Sequence, residues 1–265
     1  MTEATTAIPP WFVELSQELE SAVKGVSKEE WRGILTTSAK KAAKNAVSSK
    51  VESFKNLAQV LHRKASQYSR DPKVAFQSDC SCLKKTVVTF PKSAYTQFQR
   101  FLALSKQDQY ESMAATLLST LLFFSVMGGF DAEGGLPDMD TKLFGIGDHR
   151  NIISHSIILG FGTEFALRFA IYFVSEIHAR LPEHHHKIWD TIARVANKAE
   201  NQAVSAVWLG IGVHLAKDAG VFSSRIKPVV GIPGEHSMLF HKTFLETNSA
   251  LSVTFGMPVQ KAGQA

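Results

Sequence analysis

Three short pieces of the chain concentrate side chains that can hold a metal ion. The first is Gly135-Leu136-Pro137-Asp138-Met139-Asp140, where the proline disfavours helix for the residue before it and predicts a loop or extended turn. In extended chain, residues two apart project to one side, so Asp138 and Asp140 could offer two carboxylate oxygens to one site. An Asp-rich surface turn or a helix cap is the alternative. The second piece runs from Gly147 through Asp148, His149 and Arg150 to Ser154-His155-Ser156. Six steps along a helix separate two side chains by about 120°, so His149 and His155 cannot share one helix face. They converge if His149 sits in the loop and His155 one turn into a helix beginning near Asn151. Capping or core histidines are the plainer reading. The third piece is Gly212-Val213-His214-Leu215-Ala216-Lys217-Asp218. His214 and Asp218 stand one helical turn apart on the same face, so one ion could take both, or Asp218 could orient the His214 ring.

Imidazole and carboxylate together suit a catalytic divalent ion, zinc first, better than a closed structural site. Such an ion lowers the pKa of water and polarises a phosphoryl or carbonyl oxygen. Asp138, Asp140, His149, His155, His214 and Asp218 are therefore the candidate ligands. Arg150 and Asp148 are the candidates for the chemistry on substrate, since a guanidinium can grip a carboxylate or phosphate with two parallel hydrogen bonds. Glu235, His236 and His241 are further candidates to close the site, Glu164 and Arg168 read as a buried ion pair, and His184-His185-His186 reads as plain polar surface.

The elements that must position these groups read as helices. Ser27-x-x-Glu30 is a capping box, and it predicts a long helix from Lys28 to about Ser69. Trp31, Ile34, Leu35, Val47, Val51, Phe54, Leu57, Val60 and Leu61 recur there at helical spacing, opposite a basic face of Lys40, Lys41, Lys44, Lys50, Lys55, Arg63 and Lys64. Residues 71–92 read as irregular with a short strand at Thr86–Phe90 closed by Pro91, before a helical run from Lys92 to about Gln107. Ala114 to Phe130 is apolar and ends in Gly128-Gly129, which closes a helix. Helical patterns follow from Asn151, from Ile188 to Ala219, and near His236 to Leu251. The fold class is mainly α: a helical bundle with a metal site between helices, spanning residues 111–265, preceded by a basic helical region over residues 1–110.

Charge bounds the partners. Residues 1–110 hold 17 Lys/Arg against 10 Asp/Glu, while the whole chain is only +5, so the basic excess lies in front. That favours an anionic membrane surface or lipid, while nucleic acid lacks a recognisable motif. A solvated helix face explains the same charge, and a homo-oligomer is compatible with it. Cys80 and Cys82 are too few and too close for a disulfide framework and lack the second pair of a zinc ribbon; they read as reduced thiols of the cytosol. No secretory signal is visible from Met1 to Trp11. Ala114–Phe130, Asn151–Val174 and Ala203–Phe222 are apolar enough to raise a membrane question, but the last two carry ionisable groups that must face protein or a wet cavity. Membrane-embedded helices around a polar site and core helices of a cytoplasmic bundle both remain open.

Pro137-Asp138-Met139-Asp140, His149-Arg150, Ser154-His155-Ser156 and the Gly212 to Gly220 segment together resemble the bacterial membrane-bound metal-dependent hydrolase family typified by YdjM-like inner-membrane proteins. The resemblance covers about residues 134–233. It implies a helical, membrane-associated protein and a metal-dependent hydrolase of phosphoester or phospholipid-like substrates on the cytoplasmic side. The alternative is a non-enzymatic membrane or interaction protein in which the same residues hold a structural ion or form a polar core.

Overall fold

Ser27 begins the longest helix for a local reason. Its Oγ accepts the Glu30 N–H at 3.2 Å while the Glu30 carboxylate accepts the Ser27 N–H at 2.8 Å, so two otherwise orphaned donors are satisfied at once. A computed structural model of the chain describes residues 9–139 and 150–257. Among these residues there are seven α-helices: α1 (Pro10–Val23), α2 (Lys28–Arg70), α3 (Pro72–Leu102), α4 (Lys106–Met127), α5 (Ile157–His178), α6 (Ile188–Asp218) and α7 (Met238–Gly256). A short 3-10 turn, Leu136–Met139, follows α4. The fold is mainly α, as the helical periodicities indicate.

Three local expectations are corrected. Residues 71–92 are neither irregular nor a strand; they belong to α3, which runs through Pro91. Asp71-Pro72 breaks α2 but also starts α3, because Asp71 accepts the Val74 N–H at 3.0 Å and Pro72 takes a first-turn position where its missing N–H costs nothing. The Thr86–Phe90 segment is β-branched, but that preference is worth only tenths of a kcal/mol per residue, ~0.5 or less, and the chain context overrides it. Residues 151–156 are turns rather than the first turns of a helix. Asn151 pairs with Val230 in an isolated parallel bridge, and Ser156 caps α5. Asp138 lies in the 3-10 turn, not in extended chain.

The inner side of α2 also differs from the apolar stripe read in its sequence. The residues it buries are Ile34, Ser38, Ala42, Ala46, Lys50 and Ser53, a mostly small set at helical spacing, whereas Leu35, Val47, Val51, Phe54, Val60 and Leu61 stay exposed. Small side chains let α2 lie along α5, where Asn45 donates to the Tyr172 hydroxyl at 2.6 Å.

Helix α6 is the centre of the molecule. It packs against α4, α5 and α7, and Val207, Ile211 and Leu215 on it meet Val126 of α4, Leu245 of α7 and Val229 of the following loop. Trp208 is fully buried and sits against Gly160 of α5, where a Cβ would come within 2.3 Å of the indole. Burying each such large side chain contributes roughly 1.5–3 kcal/mol. Gly128 (φ 98°) ends α4 in the left-handed conformation and turns the chain toward the 3-10 segment. The outcome is that the end of α4, the turn before α5 and the end of α6 meet at one end of the bundle.

Candidate metal centre

Asp138, His155, His214 and Asp218 come together there. Each offers one ligand atom, and the four atoms all lie within 4.8 Å of one another. His155 Nε2 is 3.4 Å from Asp138 Oδ1 and 3.4 Å from Asp218 Oδ2. His214 Nε2 is 3.7 Å from the first oxygen and 3.5 Å from the second. These separations exceed normal N–H···O hydrogen bonds. Three of the four fall within the edge length of a tetrahedron whose centre lies about 2.0–2.2 Å from nitrogen and oxygen ligands, about 3.3–3.6 Å, and the 3.7 Å separation is slightly longer. His155, His214 and Asp218 are fully buried.

The hydrogen bonds behind the two rings fix which nitrogen faces inward. His214 Nδ1 lies 3.0 Å from the Met127 carbonyl, which can only accept, so Nδ1 carries the proton. His155 Nδ1 lies 3.0 Å from Ser154 Oγ, and that hydroxyl already donates to the Asn151 carbonyl at 2.8 Å. With that hydroxyl proton on the Asn151 carbonyl, Nδ1 donates to Ser154 Oγ. In the neutral rings both Nε2 lone pairs therefore point at carboxylate oxygens, four electron-rich atoms around one point. Backing an imidazole ligand with a carbonyl or hydroxyl in this way is what metal sites do to set the tautomer.

Without a cation, protons take its place. Burial pushes the Asp138 and Asp218 carboxyls up, but contact with the His155 and His214 rings outweighs it and holds both well below the usual carboxylate range. Burial lowers the two imidazoles, and the same carboxylates outweigh that, raising His155 and taking His214 to about 9.

Cations also surround Asp218. Lys227 Nζ is 2.9 Å from its Oδ1 and also 2.9 Å from Glu133 Oε2, while Glu133 Oε1 accepts from Lys217 at 2.7 Å. Arg150 Nε is 3.9 Å from Asp218 Oδ2, and Arg150 holds a positive φ of 64°, uncommon for a residue with a Cβ. Asp140, Asp148 and His149 lie outside the described residues. His236 and His241 are not among the four: His241 Nδ1 accepts the Val229 N–H at 3.3 Å, and His236 Nε2 lies 2.9 Å from the Pro233 carbonyl.

Sequence reasoning misses Lys227, Glu133, Ser154 and the Met127 carbonyl. Lys227 stands in an irregular loop next to Pro228, with no periodicity to mark it. Ser154, directly before His155, is the one of these whose hydroxyl beside a candidate ligand is a readable signal.

A second cluster of charge lies farther along α5. Glu164 accepts from Trp208 Nε1 at 2.5 Å and from Arg168 Nε at 2.9 Å, and pairs with Lys50 Nζ at 3.0 Å. Arg168 continues to Glu200, which Tyr172 also contacts. The Glu164–Arg168 pair is thus buried, and Lys50, read as part of a solvated basic face, is its third member. Comparison with protein-family models, with curated proteins and with solved structures finds no match to this chain.

Proposed function

We propose that this chain is a divalent-cation-dependent hydrolase of phosphoester or phospholipid-like substrates, working at an anionic membrane surface on the cytoplasmic side. The observation that carries the reading is the convergence of Asp138 Oδ1, His155 Nε2, His214 Nε2 and Asp218 Oδ2 within 4.8 Å of one another, with the His214 ring held in the metal-binding tautomer by the Met127 carbonyl. Two imidazoles and two carboxylates suit zinc. When bound, the ion would acidify water and polarise a phosphoryl oxygen. Arg150 and Lys227 are partly exposed cations beside Asp218, placed to attract a phosphate. The resemblance of residues 134–233 to the membrane-bound metal-dependent hydrolases points to the same chemistry. The apolar helices Lys106–Met127 and Ile157–His178, together with the basic α2, support membrane contact.

The complete burial of His155, His214 and Asp218 favours a second reading, a non-enzymatic protein with a structural ion that ties the ends of α4 and α6 to the turn before α5. Elemental analysis of purified wild type and His214→Ala tests the ion. Turnover of bis(p-nitrophenyl) phosphate and of phosphatidylglycerol vesicles then separates the readings. Metal-dependent hydrolysis abolished in His214→Ala supports the enzyme; a bound ion with no hydrolysis leaves the structural form; no bound ion removes both.

A further inference from the structure

At the opposite end of α5 the chain turns into α6 through Pro182 to Lys187, and three side chains meet across that turn. His178 is the last residue of α5, His185 lies in the loop, and Asp190 is in the first turn of α6. His178 Nε2 and His185 Nε2 approach the same oxygen, Asp190 Oδ1, at 2.9 and 3.0 Å, with the two rings edge to face at 5.5 Å. All three groups are part-exposed, and their ligand atoms lie within 4.8 Å of one another.

The tautomer of His185 decides what these groups can hold. Its Nδ1 is 2.8 Å from the Pro182 carbonyl, an acceptor only, so Nδ1 carries the hydrogen. A neutral His185 then aims a bare Nε2 lone pair at a carboxylate oxygen, which is repulsive until something positive stands between them. A proton on His185 would satisfy that pair alone. His178 can donate its own Nε2–H to the same oxygen at 2.9 Å, and a metal ion held by all three groups would replace both protons. His186 is committed elsewhere: its Nδ1 accepts the Ile188 N–H at 3.2 Å, and its own N–H donates to Glu18 of α1 at 2.8 Å.

We propose that His178, His185 and Asp190 form a second cation site, for a first-row transition dication such as zinc, nickel or copper, that staples the α5–α6 turn. Two imidazoles select such ions over magnesium or calcium. All three side chains are part-exposed, so water would complete the coordination. Because Glu18 also accepts from Trp189 Nε1 at 2.9 Å, the staple would fix the corner on which α1 rests. This site shares no residue with the Asp138–Asp218 centre and does not depend on that centre's function.

The test is zinc stoichiometry on the full chain without a histidine tag, by isothermal titration and elemental analysis after gel filtration. Wild type, His185→Gln, His178→Gln and His214→Ala are compared, with circular dichroism as the check on folding. Two zinc ions in wild type and one in each folded variant is the expected result, with the site's affinity falling at least 100-fold in His185→Gln. Zinc should also slow proteolysis between Pro182 and Lys187 in His214→Ala but not in His185→Gln. The proposal is overturned if wild type and both His185→Gln and His178→Gln bind the same number of ions, as they would if only a proton bridges the cluster. Should His214→Ala alone lose zinc, this site fails and the first stands; the reverse pattern sinks the first and keeps this one. If His185→Gln does not fold, His178→Gln decides.

Discussion

The Nδ1 atom of His214 lies 3.0 Å from the carbonyl oxygen of Met127, so the last turn of α4 sets the chemical face that α6 shows to the site. Gly128 makes this contact available, since its left-handed conformation ends α4 there and leaves that carbonyl outside the helical ladder. Ser154 does the same for His155 from the turn before α5. The two imidazole rings are thus oriented by backbone geometry and one hydroxyl, on elements far apart in sequence.

Ser154→Ala removes the acceptor behind His155 while leaving every ligand in place. Losing such a backing hydrogen bond typically weakens metal binding about 10–100-fold. Zinc affinity measured by competition with a chromophoric chelator should fall by that factor, with the helical circular dichroism unchanged. An affinity equal to that of wild type would mean that Ser154 does not support His155 in holding the ion.

The pH dependence of stability should change sign with the ion. In the chelated protein His214 is raised from its ordinary 6.5 to about 9, so its contribution is full below pH 6.5 and is lost as pH climbs through 9. The lowered carboxyls of Asp138 and Asp218 contribute above their ordinary 3.8 and lose that only on acidification. Hence Tm of the chelated protein should decline between pH 6.5 and 9. A zinc ion needs both Nε2 atoms free of protons, so the loaded protein should gain stability over the same interval. Thermal melts with EDTA and with zinc would decide; parallel curves would refute a shared cluster.

The site was legible where chemistry and local spacing coincide. His214 and Asp218 are four apart on a strongly apolar helix, which alone puts them on one face. His155 was legible as a ligand type but not in its position, because the Asn151–Val230 bridge that holds its turn pairs residues distant in the chain. Lys50 was illegible for a related reason. Its neighbours form an ordinary basic helix face, and only the fold brings Glu164 to it. Pro91 misleads in the other direction, since an exposed helix tolerates a proline whose lost hydrogen bond leaves a carbonyl near solvent.

Lys50 and Glu164 should behave as a buried pair. Burial draws the Lys50 amine down, and the Glu164 carboxylate 3.0 Å away offsets part of that. Lys50→Met leaves the carboxylate with Arg168, Trp208 and Ser49 but without one cation, and removing a buried partner costs about 3–5 kcal/mol. Urea denaturation should show that loss. Lys50→Met combined with Glu164→Gln should recover part of it, because the uncompensated charge is gone. Strict additivity of the two changes would show that the pair does not interact.

Membrane contact can be tested on α4, where Tyr110, Met113, Leu117 and Leu121 follow one another at helical spacing and all remain exposed. Only 28% of the most apolar window of this helix is buried, so its hydrophobicity is not accounted for by the core. A bilayer surface would accept that face. Wild-type protein should float with phosphatidylglycerol vesicles, and Leu117→Lys with Leu121→Lys should cut the floated fraction at least fivefold while leaving zinc content intact. Raising the salt should not abolish binding, since the apolar contribution is not screened. If the double variant floats as well as wild type, α4 is not the membrane face.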